Sequence, residues 1–308
     1  MNNHHNKYSL NILPVLAKWV LFCLLLTPAY AYSQESILAV MSGDNKIYKD
    51  FYSRFKTELH DNINIVEVGV SDVNNEVLNR HDFIITVGYR AAKKISEYKP
   101  KSTVIYSLIP DDEKIHSSLS CENNNCYYIY INQPVIRYTQ LFKILFPQDR
   151  VMVLATTKSN TKITQQLKAS SKSIGVIYKE LQLQQDSNIA RRFTNKLSKN
   201  DVLLALPNST IYNSNNAKSI LLSTYHKDVP IIAYSKAFVK AGAIAGLYSS
   251  IDHVADKTSQ TVNRIIEKGH QKQKEYYPDD FTIEINSAVA NSLNINIDSE
   301  SVIKRKLK

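Results

Sequence analysis

After its first thirty residues this 308-residue chain has no long apolar run, so no later segment is expected to cross a membrane. Catalytic signatures are also missing. There is no G-x-S-x-G elbow, no glycine-rich phosphate loop ending in Lys-Ser/Thr, no G-x-G-x-x-G and no H-E-x-x-H. The eight histidines are scattered, two of them near the amino end, and none of the others has a partner at metal-ligand spacing. The pairs Asp111-Asp112 and Asp279-Asp280 are adjacent in sequence, and adjacent side chains point apart, so neither makes an acid/base pair alone. These absences argue against an enzyme, a metal centre and a cofactor, although a hydrolase with a non-local triad stays open. The formal net charge is +10, but no basic run is interleaved with aromatics, so nucleic-acid binding is not expected. Lys304, Arg305, Lys306 and Lys308 concentrate charge at the carboxyl end, which reads as a frayed, solvated tail over residues 299–308.

The amino end is what the chain has in place of a later span. A polar, weakly basic start leads into Trp19-Val20-Leu21-Phe22-Cys23-Leu24-Leu25-Leu26, and Thr27-Pro28 breaks that block. Ala29-Tyr30-Ala31 then puts small residues where a signal peptidase reads them. Residues 1–31 therefore read as a signal peptide cleaved after Ala31, which places the protein in the periplasm. A retained membrane anchor is the alternative. Cys23 does not suit a lipoprotein, because Phe22 precedes it where a small residue belongs.

Two cysteines remain beyond the signal, Cys121 and Cys126, in Ser-Cys-Glu-Asn-Asn-Asn-Cys. An oxidising compartment favours their pairing, and the asparagine-rich stretch between them can turn. No second pair or His-x-x-His lies nearby, so a disulfide is expected rather than a metal site.

Short β-branched runs alternate with longer amphipathic ones. Strands are expected at residues 36–40, 63–68, 81–87 and 103–107, with helices at 47–60 and 89–98 among them. Ile47, Phe51, Phe55 and Leu59, four apart, mark one buried face of the first helix. After a less regular stretch the alternation restarts, with a helix at 134–146 and a break at Pro147. Strands follow at 150–155, 176–181, 201–206 and 229–233, and helices at 161–174, 188–197 and 213–226; Gly175 stands where a helix-terminating glycine belongs. The fold class is α/β: two doubly wound, Rossmann-like lobes with a cleft between them.

Ligands of open α/β sheets bind beyond the carboxyl ends of the strands. The strand-end loops here hold Ser42, Gly88, Tyr89, Asp111, Ser159, Asn160, Asn208, Ser209 and Thr210. Most lead into helix starts, whose free N–H groups suit an anion. Helix capping is the other reading of each such residue.

Val229-Pro230-Ile231-Ile232-Ala233, followed by Ala237-Phe238-Val239-Lys240-Ala241-Gly242-Ala243-Ile244-Ala245-Gly246, resembles the substrate-binding proteins of ABC transporters. The similarity is to the tryptophan/tyrosine-type group, of the type I periplasmic binding fold. A helix over 252–268 closing on Gly269, the helix from Gln165 to Gly175, and Ile283-Glu284-Ile285-Asn286 with Ala288 and Ala290 extend it. Asp111 matches the family's strand-end aspartate, but the proline that follows it there is missing. Thr156 to Asn160 replaces another family loop.

The resemblance implies a two-lobed clamp that closes on a small molecule and presents it to an ABC permease in the inner membrane, acting as a monomer. A sensing partner of a membrane receptor is the runner-up. It further implies three crossings between lobes, with 36–146 and 248–269 in lobe one, 147–247 and 270–298 in lobe two, and hinges near Phe146-Pro147 and Leu247-Tyr248. For the ligand it suggests a small zwitterion such as an amino acid. Asp111 would take the amino group, and the loops at Ser159-Asn160 and Asn208-Ser209-Thr210 the carboxylate. Tyr89 and Phe238 would flank the side chain.

Overall fold

The computed structural model describes residues 35–60, 63–119, 125–147, 150–157, 161–183 and 194–308. The expected signal peptide, Cys121, Ser159, Asn160 and most of the helix expected at 188–197 lie outside them.

The first series of elements is β1 (Ser36–Met41), α1 (Lys46–Thr57), β2 (Asn64–Gly69), α2 (Asn75–Leu78), β3 (Phe83–Val87), α3 (Tyr89–Tyr98), β4 (Thr103–Ile109), α4 (Glu113–Ser118) and β5 (Cys126–Tyr130). The second is α5 (Val135–Leu145), β6 (Val151–Thr156), α6 (Lys162–Ile174), β7 (Ile177–Gln182), β8 (Asp201–Leu204), α7 (Ala217–Tyr225), β9 (Ile231–Ala233), α8 (Lys236–Ala241) and β10 (Ala245–Tyr248). The chain then continues through α9 (Ile251–Lys268), β11 (Glu275–Tyr276), β12 (Thr282–Ile285), α10 (Ser287–Ser292) and α11 (Glu300–Leu307).

Two six-stranded sheets result, ordered β11-β5-β4-β3-β1-β2 and β12-β10-β9-β8-β6-β7. The first is parallel throughout. In the second only β12 runs antiparallel, against β10. Apart from the late-added strands β11 and β12, both sheets have the 2-1-3-4-5 order of a doubly wound fold. The central strands are buried on both faces, which is why β3 reads as an unbroken apolar or β-branched run and β4 as one broken only at Ser107. Ile37, Ala39 and Met41 of β1 pack with Phe51 and Phe55 of α1 and Val254 and Val262 of α9. Leu38 and Val40 face the opposite way, onto Leu78, Ala92 and Ile95. The second sheet is covered in the same manner, by α5, α6 and α11 on one face and by Ile220 and Leu221 of α7 on the other.

Three segments join the lobes: 131–134 between β5 and α5, 249–250 between β10 and α9, and 277–281 between β11 and β12. The first lies earlier than the seam expected at Pro147. Tyr138, Leu141, Phe142 and Leu145 of α5 bury in the second lobe, and the Tyr138 hydroxyl donates to the Leu247 carbonyl at 2.8 Å. An apolar stripe reads the same whichever sheet it covers, so the sequence pattern could not assign this helix. The third crossing also shifts, because β11 pairs with β5 of the first sheet.

Two further differences concern helix faces. Ile47 is 49% exposed, whereas Phe51, Phe55 and Leu59 are buried. Residues four apart drift by about 40° around a helix at each step, so a stripe of four spans more than one packed face. The basic carboxyl end is no frayed tail. It forms α11, which packs on α5 and β12 and buries Ile303 and Leu307.

Candidate ligand-binding cleft

In each sheet the chain reverses direction between the first strand and its second neighbour. This switch point lies between β1 and β3 in lobe one and between β6 and β8 in lobe two. Ser42, Gly88 and Tyr89 stand at the first switch point. Asn208 to Thr210 follow β8 at the second.

Local chemistry accounts for part of what these residues do. Gly88 precedes α3 with φ +90°, and a Cβ there would sit 2.8 Å from the Ser42 hydroxyl. That hydroxyl is buried and accepts the Ala91 N–H at 2.9 Å, satisfying a donor in the first turn of α3. Asn208 acts likewise, its Oδ1 accepting the N–H groups of Thr210 and Ile211 at 3.1 and 3.2 Å. The Ser209 and Thr210 carbonyls accept from Asn213. Tyr89 is more than a third exposed, and its hydroxyl lies 3.3 Å from the Ser118 hydroxyl. Phe238, half-buried, meets Tyr234 at 5.4 Å and Tyr212 edge-on at 5.8 Å between ring centroids. Tyr234, at the carboxyl end of β9, was not singled out from the sequence.

Asp111 lies beyond β4, in a cluster of polar side chains. Its N–H donates to Asn132 Oδ1 at 2.7 Å, and its carboxylate accepts the Tyr277 hydroxyl. Burial, then that bond to Asp111, pushes the Tyr277 hydroxyl well above the ordinary tyrosine range. The Lys162 ammonium, from the first turn of α6 in the other lobe, lies 3.8 Å from Asp111 and 2.8 Å from Glu275 of β11. Burial works against both of the closer pair. It is the largest single effect on each, but the hydrogen bond between them together with the neighbouring charges outweighs it, so Glu275 is lowered and Lys162 raised, each toward its charged form. His116 stands 3.5 Å from Glu275 on its other side. Glu113 of α4 completes the set by accepting the Lys162 backbone N–H at 2.9 Å. Lys162, Glu113, Glu275 and Tyr277 were all missed from sequence. One signal was there: a lysine in the first turn of a helix opposes the helix dipole unless carboxylates meet it.

Two surface hollows lie elsewhere. One is lined by Tyr52, Lys56, Leu59 and Ile65, the other by Ile144, Pro147, Ile297 and Ile303. Both are at the amino ends of strands, away from the cleft. Among the described residues no group of three His, Cys, Asp or Glu side chains could hold a metal, and no helix is long and apolar enough to cross a membrane.

Known structures share this architecture. A substrate binding protein with adhesive properties from Clostridium difficile, in a ligand-free, open structure, is 16% identical, with a TM-score of 0.66 over 86% of this chain and 96% of that one. An ABC domain in complex with L-Trp from Streptococcus pneumonia is 17% identical, with a TM-score of 0.56 over 88% of this chain and 98% of that one. A conserved domain protein from Vibrio cholerae is 14% identical, with a TM-score of 0.57 over 88% and 98%. At these identities the likeness speaks for the two-lobed periplasmic-binding fold. No curated protein matches the chain by sequence. A family model does, over residues 55–308, and by it the chain belongs to the family of ABC transporter substrate binding proteins.

Proposed function

We propose that this protein captures a small zwitterion, an amino acid or a close relative, between its lobes as the periplasmic binding component of an ABC-type uptake system. The observation that carries the reading is the meeting of Asp111 and Lys162 across the cleft. The loop after β4 of one sheet thereby faces the helix start after β6 of the other. Two carboxyl-end surfaces that face one another form the enclosure that ligands of this fold use.

Chemistry at these ends suits a zwitterion. Asp111 already lies beside an ammonium, that of Lys162, and a ligand's amino group would take the same carboxylate. The hydroxyls and amides of the loops at Ser159-Asn160 and Asn208-Ser209-Thr210 would take a carboxylate. Tyr89 on one lobe, with Phe238 and Tyr234 on the other, would flank an apolar or aromatic side chain. The complex of the Streptococcus protein with L-Trp supports an amino acid as ligand. An inner-membrane permease would be the partner, and the mature protein, released after Ala31, would act as a monomer with Cys121 and Cys126 joined. Thiol labelling of protein isolated from the periplasm should then find neither of those two cysteines free.

A thermal-shift screen against amino acids, nucleosides and sugars tests the reading. A true ligand at 100 times its dissociation constant stabilises by ~2.7 kcal/mol. Stabilisation by sugars or nucleosides alone would overturn the zwitterion assignment, and turnover of the bound compound would replace binding by catalysis. Adjacent permease and ATPase genes are expected. A neighbouring histidine kinase or cyclase in their place would make the clamp a sensor.

A further inference from the structure

Lys162 is unusual in contacting the opposite lobe through both its backbone and its side chain. Its N–H, the first of α6, donates to Glu113 at 2.9 Å, so a carboxylate from lobe one sits on a helix start of lobe two. Its ammonium reaches back to Glu275 at 2.8 Å and Asp111 at 3.8 Å, both in lobe one. Three carboxylates from α4, β11 and the β4 loop thus converge on one residue of the other lobe. The Tyr277 hydroxyl bond to Asp111 and the proximity of His116 to Glu275 hold two of them in place. Opening the cleft would break all three contacts and strand Lys162 at the positive end of α6, where its charge is least favoured.

We propose that Lys162 is a cross-cleft latch, an intramolecular contact that keeps the two lobes drawn together before any ligand arrives. The ion pairs are partly solvated, with Lys162 and Glu275 each 38% exposed on their side chains, so the latch biases the opening equilibrium and does not lock it. Salt should weaken it, because partly exposed pairs are screened. A ligand carrying an ammonium would compete with Lys162 for Asp111, but the latch rests on the contact geometry alone. A failed ligand screen would leave it standing.

Double electron–electron resonance on the purified, ligand-free protein reads the latch directly. Nitroxides are placed at exposed Lys93 of α3 and Lys218 of α7 through a ketone-bearing unnatural residue, which leaves native cysteines untouched. At low salt the unsubstituted protein should favour the shorter interlobe distance, and raising the salt should move population to the longer one. Lys162→Met should shift the ratio toward open by about fivefold and lose the salt response, while Lys162→Arg retains both. Glu275→Gln, a near-isosteric change at a half-buried position, should shift it in the same direction by less. Circular dichroism melts confirm folding of each variant. Distance distributions of Lys162→Met and Glu275→Gln that match the unsubstituted protein at low salt would overturn the proposal.

Discussion

Gly88 carries a conformation that no other residue at that site could adopt without strain. Its φ of +90° and the 2.8 Å approach of Ser42 Oγ to a would-be Cβ act together. Gly88→Ala should therefore destabilise lobe one by ~1–3 kcal/mol in urea unfolding, through both backbone strain and loss of the Ser42 bond to Ala91. A change within ±0.5 kcal/mol would mean that the loop relaxes around it. Asp111 makes the complementary case at the ligand. A hydrogen bond to a charged group is worth ~1.5–3 kcal/mol, so Asp111→Ala should weaken binding of an amino-acid ligand by roughly 10- to 150-fold in calorimetry. Unchanged affinity would remove Asp111 from the amino-group role. Asp111 was legible because it is the first carboxylate beyond a strand end, and its match to the family pattern reinforced it. Its partners were not, since Tyr277 and Glu275 come from or follow a two-residue strand far downstream that no periodicity announces.

At the scale of elements, what was legible tracks length and capping. The helix ending at Gly175 was placed closely because its apolar face repeats over thirteen residues and its last residue is followed by a left-handed glycine. The short β5, α4 and α10 carry too few residues for a period to show, and α11 hid behind its charge. That charge turns out to serve the third crossing: Lys304 and Lys308 reach Asp280 at 2.9 and 3.2 Å. Burial opposes the Asp280 charge. Lys304, the Phe281 N–H and Lys308 outweigh it and bring the carboxyl down to about 2. A carboxyl depressed by folding adds stability that is present above its unfolded pKa and disappears as pH falls through its folded one. The loss should fall between about pH 4 and pH 2, and with the side chain 45% exposed it should not exceed ~1 kcal/mol. Urea unfolding across that range should show a shallower pH dependence for Asp280→Asn. An unchanged slope would separate α11 from the crossing. The helix itself is anchored by Ile303, fully buried, so Ile303→Ala should cost about 2–4 kcal/mol.

For the molecule as a whole, the question is what makes two lobes with separate cores behave as one body. Their apolar clusters are distinct, so cohesion must come through the crossings and the cleft. The crossings are stitched at one place. Gln133 of the first donates to the Ser249 hydroxyl of the second at 2.7 Å. Arg137, in the first turn of α5, donates to Gln133 and to the carbonyls of Pro278 and Asp279 in the third, the last two at 3.3 and 3.4 Å. Its guanidinium also stacks 4.4 Å from the centroid of Phe281. Burial lowers the pKa of this guanidinium, with Asp279 and Asp280 opposing, yet an arginine keeps its charge at any working pH. The sequence could not foretell this hub, because its members are distant in the chain and each looks like an ordinary surface polar residue. Arg137→Met keeps the apolar contact with Phe281 and removes the donors, leaving two backbone carbonyls and Gln133 without that partner. The expected cost is ~2–4 kcal/mol, concentrated at the junction and not in either core. Calorimetry should then show one cooperative transition for the unsubstituted protein and a broadened or split one for the variant, because lobes no longer coupled through the crossings unfold as separate units. A single sharp transition, shifted down but unbroken, would place the cohesion in the cleft contacts instead and leave the Lys162 latch as the stronger tie between the lobes.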